Sequence, residues 1–152
     1  MNVLSKLITE EFIQIIDEEL SWEDAIKLAC KPLLKNKMIE ERYVDAMFDM
    51  AKKHGPFFDI GKQIAIPHAR SEMGVNKTSM SLLRCLKPVY LLDDKDHPID
   101  IFIIIASADN NSHLTALASL SEILISDDLV NELKGLRTVS DIANFFRKEE
   151  EK

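Results

Sequence analysis

Five consecutive apolar residues, Ile101-Phe102-Ile103-Ile104-Ile105, run on into Ala106 without a polar residue between them. A strand with one wet face alternates apolar and polar side chains, so an unbroken run of this length suits a central strand covered on both faces. Helices must then lie on both sides of a sheet. The run falls far short of the roughly 20 residues needed to cross a bilayer.

The remaining periodicities supply those layers. Phe12 to Asp17 reads as a first strand. Ser21, with Asp24 three residues on, resembles a capping box, and Trp22, Ala25, Ile26, Ala29 and Leu33 follow at helical spacing, with Pro32 expected to kink or end that helix. Tyr43, Ala46, Met47, Met50 and Ala51 keep to i, i+3, i+4, i+7, i+8 and predict a second helix, closed by Lys52, Lys53 and His54 before Gly55-Pro56. Strands are expected at Phe57 to Ile60, Ile64 to Ile66, Ser79 to Leu86 and Ile99 to Ala106. Leu114 to Ile125 predicts a third helix and Leu129 to Leu133 a short one, while Thr138 with Asp141 caps a last helix through Phe146. The expected fold class is α/β: a mixed sheet with helices on both faces, as one domain over residues 1–148 with a charged tail at 149–152.

Composition removes several function classes. Nineteen Lys plus Arg against 26 Asp plus Glu leave a net charge of -7, so no overall field holds nucleic acid, and none is expected as a partner. The four glycines, Gly55, Gly61, Gly74 and Gly135, are scattered, which excludes the glycine-rich loops that cradle nucleotide phosphates. Cys30 and Cys85 form neither a disulfide framework nor a C-x-x-C pair, and residues 1–11 lack the apolar core of a secretory signal. A cytoplasmic protein with no membrane insertion is the expectation.

Chemistry is left to a few side chains. None of the four histidines and two cysteines sits at zinc-ligand spacing, so neither a metal nor another cofactor is expected. Asp93-Asp94 and Asp127-Asp128 read as solvated turn and cap acids, His54 as a cation at a helix C-terminus, and His97 as a turn residue. His68 follows Pro67 where the strand Ile64-Ala65-Ile66 ends, and loops at strand ends are where a rigid scaffold presents reactive groups. On position alone, a structural role for it remains the commoner outcome. His113 stands at the start of the third helix, where a neutral imidazole beside unpaired amides suits an anion such as phosphate; a solvent-facing cap residue is the alternative.

Asp59-Ile60-Gly61-Lys62-Gln63-Ile64-Ala65-Ile66-Pro67-His68-Ala69 resembles the phosphohistidine motif of the mannitol/fructose-type enzyme IIA components of the bacterial sugar phosphotransferase system. Asn111-Ser112-His113-Leu114 and the following leucines resemble the family's second histidine and its helix. Within the family, His54-Gly55-Pro56-Phe57-Phe58 and Pro67 to Val75 look most like the ascorbate-type branch. The resemblance spans almost the whole chain.

It implies the mannitol-type enzyme IIA fold, with His68 as phosphoryl acceptor, carrying a tele-phosphohistidine intermediate, and His113 as a phosphoryl-stabilising neighbour. It further implies the histidine phosphocarrier protein as donor and a cysteine of a cognate enzyme IIB as acceptor, and through that the membrane enzyme IIC, in uptake of ascorbate or a related sugar acid or pentitol. The alternative is a regulatory phosphohistidine module like the nitrogen-type relatives. One departure stands out: the mannitol/fructose branch has Arg-Glu where this chain has Lys52-Lys53, and a lysine offers phosphate a point charge rather than a bidentate fork. That phosphate-holding role is not carried over. A relay of this kind needs no nucleotide, because the donor is another protein's phosphohistidine, and a neutral imidazole needs no general base. A docking surface for folded partners should be shallow, with Met73 and Val75 on its apolar rim and Arg70 as the nearby charge.

Overall fold

The computed structural model describes residues 3–109 and 114–150. After a short opening helix α1 (Val3–Leu7) come β1 (Ile13–Ile16), α2 (Trp22–Lys35), α3 (Glu41–His54), β2 (Ile64–Ala65), β3 (Ser79–Tyr90) and β4 (Pro98–Ala106). Three helices follow: α4 (Leu114–Leu124), α5 (Asp127–Gly135) and α6 (Val139–Glu150). The four strands lie in the order β1-β3-β4-β2; β1 runs parallel to β3, β3 antiparallel to β4, and β4 parallel to β2. This is the mixed sheet expected from the sequence.

The apolar run of β4 divides its side chains between two cores. Phe102, Ile104 and Ala106 pack with the buried faces of α2 and α3, including Ala29, Tyr43 and Met47. Ile101, Ile103 and Ile105 pack on the other side with Leu120, Val130, Ile142 and Phe146 from α4, α5 and α6. Alternate residues of a strand point to opposite faces, so the stretch of β4 that feeds two cores, Ile101 to Ala106, has no solvent-facing position for a polar side chain.

Three expectations need correction. Pro32 does not end α2, which continues to Lys35. A proline inside a helix lacks the N–H that would bond the carbonyl four residues back. Here that carbonyl, on Leu28, accepts instead from the side-chain amide of Gln14 on β1 at 2.7 Å, so the orphaned acceptor is satisfied across the helix–sheet interface. Phe57 to Ile60 is not a strand: Phe57 N–H bonds Gly55 and Asp59 N–H bonds Pro56, and only Asp59 forms a lone bridge, to Ala65. Local turn bonds after Gly55-Pro56 take the place of a ladder. Finally, α6 runs on through residues 149 and 150 of the stretch expected to be tail, while the caps on Ser21 and Thr138 form as expected.

A buried charge cluster marks one end of β4. Arg84 on β3 is almost wholly enclosed and donates to the carbonyls of Cys85, Asp100 and Lys134 at 2.7, 3.2 and 3.1 Å, while Lys134 Nζ lies 3.4 Å from Asp100 Oδ2. Burial pushes the Asp100 carboxyl up, against the pull of Lys134 and Arg84. The other end of β4, at Ile105, carries the candidate site.

Candidate active site

The chain leaves the sheet at His68. Pro67 still takes part in the sheet, accepting from the Ile105 N–H at 3.1 Å, and Ile66 N–H donates to Phe58 at 2.9 Å. Between these anchors the His68 ring turns back on its own strand, with Nδ1 2.8 Å from the Ile66 carbonyl oxygen. A carbonyl can only accept, so Nδ1 is the nitrogen that donates to it, and in the neutral ring the lone pair is then on Nε2. Phe57 meets the ring edge-on, centroids 5.8 Å apart, and fully buried Phe58 lies behind it at 5.5 Å. Two aromatic rings and one carbonyl therefore fix both the tilt and the tautomer of the imidazole.

His68 lines an open cavity of about 650 Å³, shared with Arg70, Ser71 and Glu72 from the loop after it and Ser107 and Asp109 from the end of β4. Arg70 Nε is 2.9 Å from Glu72 Oε1, both exposed. Leu117 of α4 reaches the same cavity. His113 itself lies outside the described residues. Lys53 and His54 line a neighbouring cleft of about 230 Å³ with Arg70 and Met73, rather than the His68 cavity.

Of the expected rim, Met73 is exposed beside the site, but Val75 is not on a rim: it is half-buried against the α2–α3 core and bridges to Ile39. His54 packs edge-on against Phe57, centroids 6.1 Å apart. His97 donates from Nδ1 to Asp59 Oδ2 at 2.8 Å, which raises its pKa. Cys30 and Cys85 are buried and form no disulfide, and burial pushes the Cys85 thiol up to about 12, which makes it a poor nucleophile. Asp127 stands exposed in the first turn of α5, as expected of a cap acid, and also pairs with Lys62 at 2.9 Å, a contact that lowers its pKa. Among the described residues no group of three or more His, Cys, Asp or Glu side chains is placed to hold a metal ion, and no helix is long and apolar enough to cross a membrane.

One residue that reaches the backbone beside His68 was not visible as such in the sequence. Tyr43 belongs to the apolar stripe of α3, yet its hydroxyl donates to the Ile105 carbonyl at 2.7 Å and accepts from the Ala69 N–H at 3.0 Å. The available signal was chemical rather than periodic, because a buried tyrosine hydroxyl requires a partner.

Residues 6–149 match the family described as phosphoenolpyruvate-dependent sugar phosphotransferase system, EIIA 2. The chain belongs to this family. Enzyme IIA components relay phosphoryl groups, so the protein is a phosphotransferase component, of the mannitol and ascorbate type. It is 35% identical over 130 residues to the mannitol-specific cryptic phosphotransferase enzyme IIA component of Escherichia coli (strain K12), covering 86% of this chain and 88% of the relative. It is 29% identical over 143 residues to the ascorbate-specific PTS system EIIA component of Shigella boydii serotype 4 (strain Sb227), covering 93% of each. The solution structure of the mannitol-specific cryptic enzyme IIA from Escherichia coli superposes with a TM-score of 0.88 at 32% identity, over 97% of this chain and 99% of that one. An Escherichia coli complex of the mannitol enzyme IIA with phosphorylated enzyme IIB matches with a TM-score of 0.75 at 26% identity, over 91% and 95%. The enzyme IIA fold is thus the α/β architecture described above.

Proposed function

We propose that Nε2 of His68 accepts a phosphoryl group from the phosphohistidine of the histidine phosphocarrier protein and passes it to the cysteine of a cognate enzyme IIB, in the cytoplasm. The observation that carries this reading is the 2.8 Å contact from Nδ1 to the Ile66 carbonyl. It leaves the tele nitrogen as the nucleophile without a base to deprotonate it. In the forward step the donor's P–N bond breaks as a bond from Nε2 to phosphorus forms; Nδ1 keeps its proton, and the positive charge gained by the ring is shared with the Ile66 carbonyl. In the second step the IIB thiolate takes the phosphoryl group and the His68 imidazole returns to neutral.

The transferring oxygens need donors. Arg70 supplies the cation in the cavity, and its partner Glu72 releases it when a phosphoryl dianion competes for the guanidinium. Ser71 and Ser107 line the same space. His113 is proposed as a further stabilising neighbour; Leu117, four residues after it in the sequence, lines the cavity. The substrate of the full system is proposed to be ascorbate or a related sugar acid or pentitol, on the strength of the ascorbate-type stretches around His54 to Phe58 and Pro67 to Val75 and of the ascorbate-specific relative.

Incubation with phosphoenolpyruvate, enzyme I and the phosphocarrier, followed by intact mass with and without candidate IIB proteins, tests the reading. One phosphoryl group per chain, lost on adding the right IIB, is the expected result. Labelling of a His68→Ala variant by the same donor would overturn it. Stable labelling of His68 with no transfer to any IIB would favour the regulatory alternative.

A further inference from the structure

β2 and β4 pair in parallel, with Ile64 opposite Ile101 and Ala65 opposite Phe102. Carried forward at the same offset, His68 stands opposite Ile105. A parallel ladder at that pair has two rungs, from the Ile105 N–H to the Pro67 carbonyl and from the Ala69 N–H to the Ile105 carbonyl. The first is present at 3.1 Å. In the second, the Tyr43 hydroxyl is interposed: it takes the Ala69 N–H at 3.0 Å and gives its own proton to the Ile105 carbonyl at 2.7 Å. The ladder is therefore splayed by one oxygen at the residue where the chain has to leave the sheet, and both the Ala69 N–H and the Ile105 carbonyl keep a partner.

We propose that Tyr43 is a positioning residue for phosphoryl transfer, an inserted rung that sets how far the His68 ring stands out from β4; the proposal rests on His68 being the acceptor. The tyrosine is well suited to the task. Its ring is fully enclosed in the α2–α3 core, so the hydroxyl has no freedom to wander. Burial also pushes its pKa up to about 12, so it remains a donor throughout the working pH range. Without the hydroxyl, either the Ala69 N–H closes directly onto the Ile105 carbonyl and draws His68 back toward the strand, or both groups stay buried and unpaired. Each outcome moves the ring.

The test is Tyr43→Phe, assayed for labelling at varied phosphocarrier concentration and by ¹⁵N NMR of the His68 ring. Because the docking surface is untouched, KM for the phosphocarrier should stay near the parent value while kcat falls about ten- to a hundredfold, the scale expected when a reacting group is misplaced by an ångström or less. The His68 ring signals should shift with it. Parent kcat together with parent ring signals would overturn the proposal. A parent protein that never labels on His68 would instead overturn the acceptor reading. Should Tyr43→Phe fail to fold, 3,5-difluorotyrosine in a Tyr90→Phe background keeps the shape of residue 43 and weakens its hydroxyl as an acceptor. A lowered kcat at unchanged KM is then expected, and an unchanged kcat with unchanged ring signals overturns the inserted rung.

Discussion

His97 Nδ1 lies 2.8 Å from Asp59 Oδ2, tying the turn before β4 to the loop that leads into β2. Asp59 Oδ1 meanwhile accepts from the Gly61 N–H at 2.8 Å, so one carboxylate braces both ends of the approach to the site. The hydrogen bond His97 donates to Asp59, helped by the field of Asp59, Asp94 and Asp96, raises the His97 pKa above its ordinary value against a desolvation cost. A histidine whose folded pKa is raised contributes stability that is complete below the unfolded value, about 6.5, and is lost as pH rises through the folded value. The thermal midpoint of the parent should therefore fall across that window relative to His97→Gln. Parallel midpoint curves for the two proteins from pH 5.5 to 8.5 would show that the contact is not linked to folding.

Replacing His68 by Ala should abolish labelling, whereas His113→Ala should leave the fold intact and slow transfer about a hundredfold, the usual loss when one donor to a transferring oxyanion is removed. Circular dichroism and the two transfer rates separate the cases. Equal rates for His113→Ala and the parent in both directions would make His113 a cap residue only.

Arg70 and Glu72 form an ion pair on the surface, and exposed pairs of this kind contribute little to stability. Arg70→Glu should accordingly keep the parent's unfolding midpoint. It places a negative charge beside the transferring group, so transfer from the phosphocarrier and transfer to IIB should both drop. If both rates hold at the parent level, Arg70 lies outside the docking face.

Gly74 closes the turn after the His68 loop at φ +130°, and a Cβ there would come within 3.1 Å of the Tyr43 backbone nitrogen and 3.2 Å of Tyr43 Cβ. Gly74→Ala should destabilise by about 1–3 kcal/mol, the scale of a strained backbone conformation, and lower transfer as well by pressing on Tyr43. Gly135 is the control: nothing lies within 4 Å of its added Cβ and its backbone is not left-handed. Urea midpoints at constant slope give both numbers, and equal midpoints for the Gly74 and Gly135 variants would remove the steric argument.

The layers were legible because β4 carries its evidence in consecutive side chains: six apolar residues, Ile101 to Ala106, admit no wet face. The helix α3 was legible for the same reason, since its stripe and its Gly55 stop are both local. Passage of α2 through Pro32 was not, because the group that relieves the proline is Gln14, on a different element. The site divides in the same way. The place of His68 at the end of its strand is local and legible, and its acceptor role is implied by the family resemblance rather than by position, while the Tyr43 hydroxyl meets Ala69 and Ile105 only after folding. Periodicity assigns Tyr43 to the core, correctly, and is silent about its oxygen.

The turn that stood where a strand was expected has its own consequence. Ile60 N–H bonds the Ile64 carbonyl and Ile66 N–H bonds the Phe58 carbonyl, so the outer side of the two-residue β2 is occupied by the chain's own loop. An arriving protein finds almost no bare main chain there to extend the sheet. With His68 as the proposed acceptor, recognition there would be left to side-chain shape and charge, and a visitor could depart without unzipping a backbone ladder. For a component that must release one protein before greeting the next, a sealed edge is what keeps the exchange reversible.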